Sequence, residues 1–280
     1  MKFSKIRGVV MDMDGVLWRG DQPLEGIVEL FQWLGESELP FVLATNNSSK
    51  TQADYVAKLA RMGVEDVSPE RIITSATATA DYLSTQYPAG TRVYVVGEKG
   101  IRQALDNAGF DVVDEGEVQI VVAGIDFSLT YDKLKTAALY IRAGADFVGT
   151  NPDVTFPSPE GLVPGAGSVI GMIEIATDKK ATIIGKPGKP MFETALAYLG
   201  TSPEDTLMIG DRLDTDIRGA RDAGMKTALV FTGVTQPEEL TQPDNDVWSD
   251  VAYEGLPELI KAWAGDKWYL DKLKIKRGRA

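Results

Sequence analysis

The sequence predicts an α/β fold: a parallel sheet covered on both faces, with a second α/β domain inserted into it. Two observations predict this. Short β-branched apolar runs alternate with stretches of helical spacing along most of the 280 residues, which is the pattern of βαβ units. Pro88-Ala89-Gly90 interrupts that alternation, a second alternating set follows, and the last third resumes the first rhythm. A chain of this length also favours two domains over one.

The elements follow in order. Gly8 to Met11 is the first strand. Ile27 to Leu34 has helical spacing, and Phe41 to Ala44 is a second strand that ends at Thr45-Asn46-Asn47-Ser48-Ser49. Thr51 to Met62 is a helix closed by Gly63. Ile72 to Thr74 and a helix from about Ala76 to Gln86 complete a βαβαβα series. The second set has strands at Val93 to Val96, Ile120 to Ala123 and Phe147-Val148, with helices near Ile101 to Ala108 and Tyr131 to Ala143. Asn151 to Gly167 is rich in Pro and Gly and reads as a long turn region, and a helix follows to about Ala176. Ala181 to Ile184 is a strand or connector, Met191 to Leu199 a helix, Thr206 to Ile209 a strand, Thr215 to Ala223 a helix and Ala228 to Val230 a strand. The expected division is a discontinuous core of residues 1–84 and 181–265, an inserted domain of residues 85–180, and a basic tail of residues 266–280 that reads as a solvated end.

Asp12-Met13-Asp14-Gly15 directly follows the first strand. Two carboxylates one residue apart therefore sit at the C-terminal end of a strand, where open parallel sheets bind ligands. Like charges so close repel, and a divalent cation would neutralise them. A carboxylate can also attack phosphorus and form an acyl phosphate. Taken alone, the tetrapeptide fits an Asp-rich β-turn without chemistry equally well.

Composition narrows the chemistry. The chain has no His and no Cys, which excludes Ser-His-Asp triads, Cys-His dyads, His-ligated zinc and disulfides. Metal ligation falls to oxygen, which favours Mg²⁺ or Mn²⁺. A formal net charge of −12 argues against nucleic acid or an anionic membrane as partner. No stretch approaches the roughly 20 apolar residues of a membrane span. Arg7, Asp12 and Asp14 break up any N-terminal apolar run, so a cytoplasmic setting is expected.

Four segments, each after an expected strand or at a helix start, are expected to converge at one end of the core sheet. They are Asp12/Asp14, Thr45-Asn46-Asn47-Ser48, Lys186 and Gly210-Asp211 through Asp216. Singly, they read as a helix N-cap, a solvated lysine and a capped helix start. In this order on this scaffold they resemble the four signature motifs of the haloacid dehalogenase (HAD) superfamily of phosphatases. The strings MDMDGVLWRG, TNNSS, IIGKP and IGDRLDTDI are similar to those of its NagD-like, p-nitrophenylphosphatase branch. The likeness spans about Val9 to Val230 and excludes the tail.

The resemblance implies a Rossmann-like core with an α/β cap between the second and third motifs. It implies Asp12 as nucleophile, Asp14 as the acid that protonates the leaving alcohol and then activates water, and Lys186 as the group that neutralises phosphate and fixes Asp12. Thr45, Asn46 and Asn47 would bind phosphate, through the Thr45 hydroxyl and the Asn46 backbone. Mg²⁺ would be held by the Asp12 and Asp211 carboxylates and the Asp14 carbonyl, with Asp216 acting indirectly through water or Lys186. By the same pattern the loop from Asn151 to Phe156 faces the core site, and an apolar Phe156 suits an aryl or small alkyl phosphate. The implied function is a Mg²⁺-dependent phosphomonoesterase for small phosphorylated metabolites, working through an aspartyl phosphate, with a homodimer as a candidate assembly. The alternative is a non-catalytic Mg²⁺- or phosphate-binding regulator on the same scaffold.

Overall fold

The structure, a computed structural model, describes residues 3–158, 160–242 and 245–265. The expectation for the tail lies outside these residues. The chain forms two compact units. Among the described residues, one holds 3–44, 56–71 and those from Ala195 to 265, and the other holds Thr45–Tyr55 and Ile72–Thr194.

The first unit carries five strands of the larger sheet, in the order Val251–Tyr253, Lys226–Val230, Thr206–Gly210, Gly8–Met11, Phe41–Thr45. All pair in parallel, with Met11 opposite Ile209 on one side and Leu43 on the other. The strands Gly8–Met11, Phe41–Thr45 and Thr206–Gly210 are buried along their length, which is why the sequence shows continuous apolar runs there instead of alternation. Because the strands are parallel, the chain leaves the sheet after Met11, after the Phe41 strand and after Gly210 at one common edge.

Helix Ile27–Glu36 buries Ile27, Leu30, Trp33 and Leu34, the spacing of a single apolar stripe. Trp33 meets Trp263 of helix Leu256–Ala264 with ring centroids 4.5 Å apart, and Trp263 stacks on Phe3 at 4.7 Å. Deleting an indole buried this fully costs about 3–5 kcal/mol. This helix and the strand Val251–Tyr253 escape the sequence reading. The strand is partly exposed throughout, so it shows no apolar run. The helix expected over Thr215–Ala223 is shorter: a π-helical turn spans Leu213–Ile217 before regular helix at Arg218–Asp222. The Ile217 amide reaches back to the Arg212 carbonyl at 3.1 Å, the five-residue step that widens such a turn.

The second unit has its own parallel sheet, in the order Thr182–Ile183, Asp146–Gly149, Ile120–Ala123, Arg92–Val96, Asp111–Val112. Helices Tyr131–Arg142 and Ala166–Thr177 pack on it. Val96, Val121, Phe147, Ile141, Ile170 and Ile173 are among the buried residues of that core. The Thr130 hydroxyl caps the first of these helices, accepting from the Lys133 amide at 3.2 Å. The segment expected as one long turn contains an antiparallel hairpin, Thr155–Ser158 with Gly161–Pro164. Its prolines and glycines hid it, since a two-stranded ribbon outside the main sheet needs few ladder donors. Among the described residues no helix is long and apolar enough to cross a membrane.

Candidate active site

At the common edge of the first unit, two loops bring three carboxylates together. Asp12 follows Met11 and its amide donates to the Ile209 carbonyl at 2.9 Å, which ties the end of one strand to its neighbour. Asp211 follows Gly210, and Asp216 lies in the π-helical turn. All three are buried, and each offers an oxygen within 4.8 Å of the others.

Each carboxylate is oriented by backbone. Asp216 Oδ2 accepts from the Asp211 and Arg212 amides, both at 3.2 Å. Asp211 Oδ2 accepts from the Val234 amide at 2.7 Å. Two glycines make room. A Cβ on Gly15 would lie 2.4 Å from Asp211 Oδ2, and one on Gly233 would lie 1.8 Å from it. Gly15 also sits at φ +91°, where side chains are strained.

This cradle fits a hard divalent cation. Its donors are all oxygens, no imidazole or thiolate exists in the chain, and three buried carboxylates at this spacing repel unless neutralised. Asp14 is placed differently. Its side chain is exposed, it lies outside the carboxylate cluster, and its Oδ1 accepts from the Trp18 indole N–H at 2.7 Å.

The second unit assembles the polar group that the sequence reading assigned to phosphate. Asn46 Nδ2 donates to the Lys186 carbonyl at 2.9 Å and to Asp153 Oδ2 at 3.1 Å. The Asn46 carbonyl accepts from Asn151 Nδ2 and from the Ser75 hydroxyl, both at 2.6 Å. Thr45 is buried, and its Oγ1 accepts from the Asn47 amide at 3.2 Å. The Asn47 side chain faces its own turn, where its Oδ1 accepts from the Ser49 amide at 2.8 Å and from the Ser49 hydroxyl at 2.7 Å. Lys186 is only 2% exposed. A lysine so buried is costly unless anions or acceptors meet it, and the bland solvated-loop reading of this residue does not hold.

Asn151 and Asp153 were read only as part of a loop. Their partners lie more than 100 residues away in sequence, so no local pattern announces them.

Phe156 lies in the hairpin, opposite Val163. Its ring meets Phe127 edge-on, centroids 6.2 Å apart. The Phe127 loop is pinned from beside it. Asp126 accepts from the Ser128 amide at 2.9 Å and from Lys133 Nζ at 2.7 Å. Burial pushes the Asp126 carboxyl up, but Lys133 and Ser128 outweigh it and hold the group below the usual carboxylate range.

Comparison with known proteins shows the family and the fold. A family profile described as haloacid dehalogenase-like hydrolase matches residues 9–111, and a HAD-hydrolase-like profile matches residues 183–256. An acid sugar phosphatase of Staphylococcus haemolyticus is 38% identical over 238 residues, covering 85% of this chain and 90% of its own. The crystal structure of a 4-nitrophenylphosphatase from Thermotoga maritima superposes with a TM-score of 0.87 at 36% identity, over 93% of this chain and 98% of that one. NagD from Escherichia coli gives a TM-score of 0.83 at 33% identity, over 90% and 98%.

Proposed function

Because this chain belongs to the haloacid dehalogenase-like hydrolases, in their NagD and p-nitrophenylphosphatase branch, and is an enzyme, we propose that it is a Mg²⁺-dependent phosphomonoesterase. One observation carries the reading: three buried carboxylates held within 4.8 Å of one another beside the sheet edge. Phosphoryl transfer needs in-line positioning and charge neutralisation more than covalent machinery, and this cluster suits both.

In this reading an Asp12 oxygen attacks phosphorus and the bond from phosphorus to the leaving oxygen breaks. Asp14 gives its proton to that oxygen, so the alcohol departs neutral. Asp14 then takes a proton from water, the resulting hydroxide attacks the aspartyl phosphate, and the bond from phosphorus to the Asp12 oxygen breaks. Lys186, the Thr45 hydroxyl and the Asn46 backbone amide neutralise and hold the phosphoryl oxygens, with Asn47 shaping the same turn. The Asp12 and Asp211 carboxylates and the Asp14 carbonyl would hold Mg²⁺, with Asp216 orienting Asp211 and the loop amides. Bound there, the ion supplies Lewis-acid charge at the phosphoryl group and lets Asp12 approach an anion.

We take residues 85–180 as the cap that selects the leaving group through Phe156. The substrate class is a small phosphorylated metabolite of the cytoplasm, of sugar, alkyl or aryl phosphate type. The named activities of the relatives support that class. The deciding experiment is phosphate release from p-nitrophenyl phosphate and from a sugar phosphate, with Mg²⁺ and after chelation. Turnover that requires the metal is expected, and inactivity on a broad panel of phosphate monoesters would overturn the reading.

A further inference from the structure

We infer that Trp18 is a positioning residue for Asp14: its indole N–H holds Oδ1 and so fixes how that carboxylate is presented to the leaving group. The inference rests on the acid–base role proposed for Asp14. The indole N–H of Trp18 donates to Asp14 Oδ1 at 2.7 Å. An indole N–H is donor-only and cannot accept a proton in return. While that bond stands, Oδ1 serves as an acceptor and the orientation of the Asp14 carboxylate is set.

The indole is itself held from several sides. The chain turns tightly between the two residues: the Gly15 amide donates to the Trp18 carbonyl at 2.8 Å, and the Leu17 amide to the Met13 carbonyl at the same distance. Met13, Leu17 and Trp18 are fully buried while Asp14 stays exposed. The reactive carboxyl thus reaches outward from a rigid turn. Trp18 then pairs with Pro23 in a short hairpin. Lys58 Nζ sits 4.2 Å from the centroid of the Trp18 ring and donates to the Gly20 carbonyl, in the same hairpin, at 2.7 Å. A cation on an indole face fixes the ring and draws electron density from it, which strengthens the N–H as a donor.

The competing view is that a buried indole needs any acceptor and Asp14 supplies one. The two views separate by leaving group. An alkoxide needs a proton as it leaves, whereas p-nitrophenolate departs readily as an anion. General-acid contributions are about 10²–10⁴-fold, and mispositioning the acid forfeits part of that.

Trp18→Phe removes the N–H and keeps a ring under Lys58. With Mg²⁺ present, it should lower kcat/KM for an alkyl phosphate such as glycerol phosphate by about 10–100-fold, and for p-nitrophenyl phosphate by less than about 3-fold. In an Asp14→Asn background it should add no further loss on the alkyl phosphate. Parallel slowing of both substrates, or an equal added loss in that background, would overturn the inference. If Asp14→Asn alone spares alkyl phosphate hydrolysis, the acid–base reading falls and takes the inference with it. If Asp14→Asn abolishes that activity while Trp18→Phe behaves as wild type, only the inference falls. Should Trp18→Phe fail to fold, Lys58→Met carries the test. It should slow the alkyl substrate selectively, and parallel slowing would overturn the inference.

Discussion

The side-chain amide of Asn46 donates to the backbone carbonyl of Lys186 at 2.9 Å, joining two residues 140 positions apart. Its second proton goes to Asp153 at 3.1 Å. Both amide protons of Asn46 are therefore spent on loops of the same unit, and one of them holds the backbone of Lys186.

Asn46→Ala should lower kcat/KM by about 10–100-fold, since misplacing a phosphate-neutralising group by about 1 Å has costs of this order. The same change should reduce stability by about 1–3 kcal/mol by stranding buried acceptors. Steady-state kinetics and urea unfolding of one preparation check both. Unchanged kinetics with reduced stability would show that Asn46 only braces the loops.

Asp12→Asn should lose nearly all turnover, on the order of 10⁴-fold or more, while folding normally. Circular dichroism verifies the fold, and acid-quench trapping of phosphorylated protein verifies the intermediate in the unaltered enzyme. Substantial activity in the purified variant would sink the covalent route.

How far the sequence foretold this molecule depends on locality. Asp12 and Asp211 stand out because each follows an unbroken apolar run, and both runs prove to be central buried strands. The parallel α/β class follows from the same runs. By residue pattern alone Asn151 and Asp153 were legible as turn formers, and the family likeness added only that their loop faces the core site, because the groups they touch are set by tertiary folding. Trp18 is buried, but its bond to Asp14 depends on a turn whose geometry no periodicity encodes. The hairpin around Phe156 was lost for a different reason: Pro157 and Pro164 imitate loop composition.

The carboxylate cluster predicts metal dependence. Chelation should abolish activity, and Mg²⁺ should restore it far better than Ca²⁺, which prefers more ligands at longer distances. A readout independent of turnover is available: Mg²⁺ at about 100 times its Kd should stabilise the fold by about 2.7 kcal/mol. Asp211→Asn should erase that thermal shift. An undiminished shift in the variant would place the ion elsewhere.

Asp54 gives an acid-stability prediction. Lys99 Nζ lies 2.8 Å from its Oδ2, the Thr51 amide also donates to it, and together they hold its carboxyl at about 2 against an ordinary 3.8. A depressed carboxylate stabilises the fold fully above its unfolded pKa, and that contribution drains away as pH falls towards the folded value. Stability should therefore decline between about pH 4 and about pH 2, and Lys99→Gln should flatten part of that decline. The pair is partly exposed, so the effect is small and should shrink further in high salt. Melting temperatures of both proteins at several acid pH values decide it, and identical slopes would assign acid sensitivity to other groups.

Phe156 tests the cap. Its ring meets Phe127 edge-on, and the Asp126–Lys133 pair pins the Phe127 loop, so the two rings form a braced apolar surface on the second unit. If that surface receives the leaving group, Phe156→Ala should change the ratio of kcat/KM values between aryl and sugar phosphates, because selectivity is a difference in transition-state binding between substrates. The metal requirement should be untouched. A ring that only packs against Phe127 behaves otherwise. Its removal would cost stability, by up to a few kcal/mol, and every substrate would slow by one common factor. A panel of chemically diverse monoesters measured with both proteins separates the cases, and an unaltered ranking would remove Phe156 from substrate selection whatever the absolute rates.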